Sequence, residues 1–499
     1  MQYITNSDEA KNIDRISIEQ IGIPSLVLME KAALSVYQHI IKTYGTPDKA
    51  GKILAVCGVG NNGGDGVAVA RLLKEAGYDA SVLIIGNESK ATDEMKTQIN
   101  IAKNTDVRFI TNETKSEYNI IIDAIFGIGL SRPIEGKYAE CIENINNSAA
   151  DKISIDIPSG INASNGKIMG CAIKADYTIT FGTNKLGNVL YPGTEYAGTT
   201  IVADIGFPYK AVQNVMPKAY TYTRNDIEKK VPCRNPRTNK GSYGKVLVIA
   251  GSPGMSGACY FTAKSAYRMG CGLVKVMTSD DNLDIIKTKL PEAITSSYQK
   301  DNIEEALSWA DVIAIGPGLG KSDDSFKIME KILKATDKPV IIDADGLNIL
   351  AKLNRADKER QSCYPYCLPS NFVVTPHIKE MSRMIDKTTE EIKENLLEYT
   401  SKQHTGCTIV LKDARTVVSD GNTSYINTSG NNGLSTGGSG DVLTGMIAGL
   451  TAQKMQPFEA AKLAVYIHGA AADEYTSKYS RYSMLASDII DMISEVMPY

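Results

Sequence analysis

The chain has 499 residues and a formal net charge of −3, long enough for two or three domains that each bury a core. Its 43% hydrophobic and 22% charged residues describe a globular protein. The lack of a basic bias argues against nucleic acid or an anionic membrane as partner, and no apolar run approaches a membrane span.

The N-terminal stretch MQYITNSDEAKNIDRISIEQ lacks the charged-then-apolar pattern of a signal peptide, so a cytoplasmic protein is expected. The nine cysteines are scattered, and the close pair Cys363 and Cys367 has no second pair to complete a zinc site. His39, His377, His404 and His468 show no ligand spacing either, which leaves reduced structural thiols as the expectation.

Residues Ile23 to Ile40 read as a helix whose apolar face carries Leu26, Leu28, Met29, Ala32, Ala33 and Val36, with Glu30 solvated. The stretch KILAVCGVGNNGGDGVAVARLLKEAG then reads as strand, glycine-rich loop and helix. Gly58, Gly60 and Gly63 have the GxGxxG spacing of a dinucleotide fold, and Glu88 follows the next strand. The loop's contents argue against that use. Asn61, Asn62 and Asp65 crowd the turn, and Asp65 would repel a pyrophosphate; side-chain oxygens there suit a cation or a polar ligand, or simply decorate a tight turn. Further strands end at Asp123, at Asp156 with Pro158 and Ser159, and at Gly182. Ligands sit at the carboxyl ends of strands in open α/β sheets, so Asn62, Asp123, Asp156 and Ser159 could converge. Aspartates in buried strands are costly unless paired, metal-bound or protonated, although either one alone also reads as a loop cap.

The motifs NNGGDG, DAIFGIG and DIPSGINASNG together resemble the NAD(P)H-hydrate epimerase domain, a Rossmann-like fold, over roughly the first 210 residues. The resemblance implies a potassium ion on Asn62, Asp123 and Ser159, with Asp156 as the catalytic group against the hydrated nicotinamide. It places substrate contacts at Asn61, Asn62, Gly63, Gly64 and Asp65, at Gly127, Ile128, Gly129, Leu130, Ser131, Arg132 and Pro133, and at Tyr138. Ala33 stands where that family carries glycine.

Proline-bearing, charged sequence marks a linker, which sets expected domains at 1–212 and 241–499 with 213–240 between them. The second half alternates apolar strands with helical segments, from GKVLVIAG and GLVKVMTS to CTIVLK and TVVSD, the pattern of a mostly parallel, doubly covered α/β sheet. Gly316 precedes Gly320-Lys321-Ser322 at one residue short of P-loop spacing, so Gly316 to Gly320 read as a close-approach loop. His377 either bonds a substrate or caps the helix of Glu380. Lys412 ends a strand and either meets a nucleotide phosphate or is solvated.

Asn427 to Leu450 carries the strongest signal: a glycine run that turns into the apolar helix of Val442, Leu443, Met446, Ile447 and Leu450. Converging amides and a helix N-terminus make an anion site, and Asp441 sits in its mouth. The helix start should keep Asp441 ionised, ready to accept a proton from a hydroxyl while the amides hold a phosphoryl group. A helix-capping turn is the plainer reading.

The ordered motifs NKGSYGKVLVIAGSPGMSGA, GPGLG, DADGLN, TPHIKE, LKDA and GGSGDVLTG resemble the NAD(P)H-hydrate dehydratase domain of the ribokinase-like superfamily. Both halves together resemble the bifunctional NAD(P)H-hydrate repair enzymes. That implies epimerisation of R- and S-hydrates at nicotinamide C6, then dehydration of the S form with ADP, or ATP, and Mg2+, giving AMP and phosphate. Asp441 would be catalytic, Ala258, Gly318, Leu319 and His377 would contact the hydrate, and Lys412, Asp413, Ala414, Arg415, Thr416, Gly437, Gly438, Ser439 and Gly440 the nucleotide. A homo-oligomer with small-molecule ligands is expected. Asn239, Asp413 and the long loop Asn354 to Asn371 depart from the family pattern. Rival readings are an ATP-dependent ribokinase-like small-molecule kinase, which would release a stable phosphorylated product, an N-terminal oxidoreductase, or an N-terminal binding module.

Overall fold

The computed structural model describes residues 1–111, 118–335, 337–356, 368–401 and 406–498. Cys363, Cys367 and His404 lie outside them. The chain forms two compact units, one of Gln2–Lys218 and one of Met1 with Ala219–Tyr499.

In the first unit, helix α1 (Ser7–Arg15) starts at a capping box of Asn6 and Glu9 and passes into a π-helical turn over Ile16–Gln20. Helix α2 (Ser25–Tyr44) begins just past Pro24, which cannot continue a helix on its N-terminal side. It turns Leu28, Met29, Ala32, Ala33, Val36 and Ile40 inward, as its apolar spacing predicts. Glu30, expected to be solvated, keeps a side chain 42% exposed and also accepts from Arg71 Nη2 at 2.7 and 2.6 Å and from Gln98 Nε2 at 2.9 Å, which ties α2 to its neighbours.

The strands are β1 (Lys52–Cys57), β2 (Asp79–Ile84), β3 (Arg108–Ile110), β4 (Ile120–Ala124), β5 (Asp151–Ile155), β6 (Tyr177–Phe181) and β7 (Thr199–Ala203). They form a seven-stranded sheet of order β3-β2-β1-β4-β5-β6-β7, parallel throughout. Helix α3 (Asn61–Glu75) follows β1. The order reverses between β1 and β4, so the crevice that such sheets use for ligands opens after Cys57 and Ala124. Gly58 is required there, because a Cβ would sit 2.0 Å from the carbonyl oxygen of Ile125. Helix α4 (Asp93–Asn104), helix α5 (Lys137–Asn147) and helix α6 (Tyr209–Val215) complete the unit.

The second unit's sheet runs β11 (Ile294–Ser297), β10 (Leu273–Thr278), β9 (Lys245–Ile249), β12 (Val312–Ile315), β13 (Val340–Ile342), β14 (Phe372–Val374), β15 (Thr408–Leu411), β16 (Val417–Ser419), β17 (Ser424–Ile426) and β8 (Ala219–Thr221). Pairing is parallel from β11 to β15 and antiparallel across β15, β16 and β17. Strand β8 comes from sequence that reads as linker; it pairs in parallel with β17. Three residues of β8 and four of β11 are too short to show a periodicity. Helix α7 (Ser256–Arg268) and helix α10 (Ser439–Ala452) approach closely because α10 is lined with small residues: a Cβ on Gly445 would stand 2.0 Å from Thr262 O. Helix α8 (Asp345–Ala356), helix α9 (Ile378–Ile385), helix α11 (Pro457–Lys478) and helix α12 (Ala486–Val496) flank the sheet. No described helix is long and apolar enough to cross a membrane.

Candidate active sites

In the first unit a cavity of about 720 Å3 opens at the carboxyl edge of the sheet. Its wall includes Asn61, Asn62 and Asp65 from the start of α3, Gly127, Ile128, Gly129, Leu130, Ser131 and Arg132 from the loop after β4, Tyr138, and Asp156. Gly63, Gly64 and Pro133 do not line it. Gly63 and Gly64 serve packing instead: a Cβ would meet Gly58 O at 2.0 Å in one case and Met29 Cε at 2.8 Å in the other.

Asp156 follows β5 with φ +65°, a left-handed conformation that Asp tolerates better than most residues. Its Oδ1 accepts from Thr180 Oγ1 at 3.0 Å, from the Phe181 amide at 3.1 Å, and from the Lys185 ammonium in a close contact. The Asn188 side chain donates to its carbonyl at 3.1 Å. All three side-chain bonds fall on one oxygen, so Oδ2 is the atom left for the cavity. Lys185 is only 2% exposed and also lines the cavity. It carries no sequence signal, since a lone lysine after a Thr-Asn pair shows neither a periodicity nor a motif. Burial raises the Asp65 carboxyl well above the carboxylate range, and the like charges of Asp156 and Asp14 add to this.

Asp123 and Ser159 meet, as their strand-end positions imply. Asp123 is fully buried and accepts from Ser159 Oγ, from the Ser159 amide at 2.8 Å, from Ser154 Oγ at 2.7 Å and from the Ile125 amide at 3.3 Å. Burial raises its carboxyl and these hydrogen bonds oppose the rise. Asn62 packs against Gly127, whose Cβ would lie 3.2 Å from Asn62 Oδ1, and Ser159 Oγ accepts from the Phe126 amide at 2.8 Å. Among the described residues the buried Nδ2 of Asn62 has no hydrogen-bond partner. Neutral oxygens around one uncompensated carboxylate make a donor set suited to a monovalent cation.

In the second unit α10 begins at Gly438, whose φ of +89° turns the chain into the helix. Among the described residues, the amides of Gly440 and Asp441 donate to no protein group, because the helix provides no acceptor for its first turn. A Cβ on Gly437 would meet nothing within 4 Å, so that side of the run is open. Ser439 differs from its neighbours: its hydroxyl lies 3.3 Å from His468 Nε2 and is buried. Burial holds His468 neutral, near 4.

Behind the helix start lies a buried network. Asp343 Oδ1 accepts from Lys412 Nζ at 2.8 Å and Oδ2 from Thr444 Oγ1 at 2.7 Å. A Cβ on Gly440 would be 3.3 Å from Lys412 Nζ, which places this pair under the amide run. Burial raises Asp441 to about 7; Asp343 pushes in the same direction and Lys412 opposes. This corrects the expectation of a fully ionised carboxylate, since desolvation and a neighbouring carboxylate outweigh the helix dipole.

His377 caps α9: its Nδ1 accepts from the Glu380 amide at 3.1 Å, and Glu380 bonds back to the His377 amide at 2.9 Å. With Nδ1 accepting, the ring proton is on Nε2, and the side chain is 48% exposed. Burial and Lys412 lower its pKa, so the ring is neutral. Ala258 and Gly318 adjoin, at 2.9 Å between the Ala258 Cβ and a Cβ built on Gly318, whereas the Leu319 side chain belongs to the hydrophobic core. Asp413, Ala414, Arg415 and Thr416 form the turn between β15 and β16, with Asp413 and Ala414 exposed.

Comparison with known proteins follows the same division. Residues 246–495 match the family model described as NAD(P)H-hydrate dehydratase, and residues 25–187 match that of the YjeF-related protein N-terminus. Bifunctional NAD(P)H-hydrate repair enzymes are similar along nearly the whole chain: that of Thermofilum pendens at 35% identity over 94% of this chain and 91% of the relative, that of Moorella thermoacetica at 34% over 99% and 96%, and that of Escherichia coli at 32% over 98% and 93%. The chain belongs to this family. It is a bifunctional repair enzyme, with an isomerase activity and a lyase activity. A crystal structure of a ribokinase-like superfamily protein from Enterococcus faecalis, 28% identical, covers 56% of this chain and 95% of that one with a TM-score of 0.51. One of a protein from Streptococcus mutans, 30% identical, covers 56% and 98% with a TM-score of 0.50. The C-terminal half of this repair enzyme is thus ribokinase-like, and its parallel N-terminal sheet is Rossmann-like.

Proposed function

We propose that the second unit dehydrates the S-epimer of hydrated NADH or NADPH at the expense of ADP, with ATP as the alternative donor, giving AMP and phosphate from ADP, and that the first unit interconverts the R and S forms at C6 of the nicotinamide. The observation that carries the first assignment is a carboxyl at about 7 beside two helix-start amides that no protein group engages. A base with a pKa near the working pH combines adequate basicity with adequate ionisation.

In the dehydration, Asp441 takes the proton of the C6 hydroxyl as that oxygen attacks the terminal phosphoryl group. The unengaged amides of Gly440 and Asp441 donate to the oxygens of the group in transfer, where they need no reorganisation. The phosphate then leaves C6 where hydroxide would not, the N1 lone pair forming an iminium, and C5 loses a proton so that the ring double bond is restored. Lys412 bonds to Asp343, and its charge partly offsets the rise that burial and Asp343 impose on Asp441. In this reading the turn of Asp413 to Thr416, exposed at Asp413 and Ala414, meets the nucleotide, and His377 contacts the hydrate. Among the described residues no group of three or more His, Cys, Asp or Glu could hold a metal alone, which suits Mg2+ carried on the nucleotide's phosphates. When bound, that ion supplies neutralisation of phosphate charge.

In the epimerisation, Asp156 Oδ2 faces the hydrated ring and carries its proton, while Lys185 fixes the carboxylate through Oδ1. Asn62, Asp123 and Ser159 would hold a potassium ion, whose charge would compensate the buried Asp123 and secure the loop after β4. The test supplies mixed hydrate epimers with ADP or ATP and follows recovery of NADH absorbance. Recovery of both epimers with phosphate release is expected. A stable phosphorylated product would replace this reading with a kinase, and recovery of the S share alone would remove the first unit's role.

A further inference from the structure

Helix α1 crosses the carboxyl edge of the N-terminal sheet. At its first turn Ser7 donates through Oγ to the Ile128 carbonyl at 2.6 Å, and its amide donates to Ser164 Oγ at 3.0 Å. At the other end Ile13 and Ile16 pack with Ala211 of α6 and against Phe207, which follows β7. The helix is therefore anchored over the loop after β4 on one side and over the end of β7 on the other. It roofs the ends of β5 and β6 between them, and Asp14 on it lines the cavity. Asp156, at the end of β5, belongs to the floor. The two carboxyls thus line one cavity from different elements, Asp14 from helix α1 and Asp156 from the end of β5.

They are held differently. Asp156 is bonded by Thr180, Phe181 and Lys185, whereas Asp14 has no hydrogen bond or ion pair among the described residues. Burial raises the Asp14 carboxyl above its ordinary range, Asp156 and Glu94 add to this, and Lys185 opposes it. The other charges around it are Asp65 of α3, Lys11 and Arg15 on α1 itself, and Glu19 and Arg132 on the cavity wall.

We propose that Asp14 is the second proton carrier of the epimerisation, acting on the C6 hydroxyl from the face of the ring opposite Asp156. This rests on the assignment of the cavity to the hydrate. C6 carries both the hydroxyl and ring nitrogen N1, and inversion through an iminium breaks the C–O bond on one face and forms it on the other. For the epimer whose hydroxyl faces α1, Asp14 gives up its proton to that oxygen, the C6–O bond breaks, and water leaves as the N1 lone pair forms the iminium. A water on the floor side then forms the new C6–O bond and loses a proton to the Asp156 carboxylate. One proton passes from Asp14 to Asp156, one water leaves and one enters, and no oxidant or reductant is consumed. The opposite inversion runs the same steps backwards, and solvent resets the proton between turnovers.

The test uses the full chain, resolved epimers of hydrated NADH and no ADP, so that dehydration is silent and interconversion is read by chromatography. Asp14→Asn is expected to slow inversion by about 100-fold or more, with S-hydrate dehydration in the presence of ADP unchanged. The wild type is expected to lose rate as pH rises through the Asp14 pKa, and Asp14→Glu to retain activity with that limb displaced. In water labelled with oxygen-18, one solvent oxygen should enter C6 per inversion. Inversion by Asp14→Asn at the wild-type rate, with Asp156→Asn inactive, would overturn Asp14 and leave the cavity assignment standing. Wild-type rates in both variants would overturn the cavity assignment itself. Should Asp14→Asn melt below the assay temperature, Asp14→Glu decides: an unmoved alkaline limb overturns the proposal, as does inversion without label.

Discussion

The two units hold their working carboxylates in opposite ways. Asp156 has a lysine of its own: Lys185 bonds it directly, and its left-handed backbone points the free oxygen into a cavity. Among the described residues Asp441 has no such partner, and the nearby Lys412 bonds to Asp343. That leaves Asp441 facing a second carboxylate across a buried site, with its proton held to about 7. A carboxylate with a dedicated cation is fixed in orientation, whereas one whose neighbour has taken the cation keeps a proton that can be exchanged near neutral pH. Both sites use a non-glycine residue with positive φ next to the chemistry, Asp156 in one and Ala344, between Asp343 and Asp345, in the other.

The largest expected effect comes from Asp441→Asn. It should lower dehydration of the S-hydrate by on the order of 10^3-fold or more while interconversion of epimers, followed separately by chromatography, stays at the wild-type rate; equal loss of both would erase the contrast between the units. The same variant should melt higher than the wild type at pH 8 and show little difference at pH 4. A carboxyl raised from 3.8 to about 7 contributes stability that is full below its unfolded value and is lost progressively as pH rises to the folded value, so removing its charge helps increasingly across that window and fully above it.

Lys185→Met should abolish epimerisation and also destabilise the first unit by about 3–5 kcal/mol, since it leaves a buried carboxylate unpaired. Denaturant unfolding of the protein beside an epimer assay checks both, and an unchanged midpoint would mean that the pair does not hold the floor of the cavity. Asp343→Asn should move the pH–rate midpoint of dehydration down and Lys412→Met should move it up, each by about one unit. Shifts in the same direction would show that these groups do not set the proton on Asp441. The smallest effect is expected from Glu30→Gln, which weakens the charge-assisted bond to Arg71; a loss of about 1 kcal/mol with both activities intact separates packing from chemistry.

Much of this was legible because parallel strands buried on both faces read as apolar runs, and the chemistry gathers where those runs stop. Asp123, Asp156 and Ser159 were visible as polar residues at strand ends, and Asp441 as a carboxylate inside a glycine run. Lys185 and Asp14 were not, since one sits alone in a short loop and the other shares a helix turn with ordinary surface charges. What marks them is the cavity they line, which only tertiary folding creates. The sign of the Asp441 shift was also hidden. It depends first on burial and then on Asp343, a residue distant in sequence that is held at the same point by Thr444 and Lys412.

The most direct test of the account is the pH dependence of S-hydrate dehydration at saturating ADP and hydrate. The rate should rise about tenfold per pH unit at low pH and level off near 7, as the Asp441 carboxyl loses its proton. A rate already flat from pH 5 upward would contradict it, because the carboxylate would then be ionised throughout and its neighbours would have no part in the chemistry.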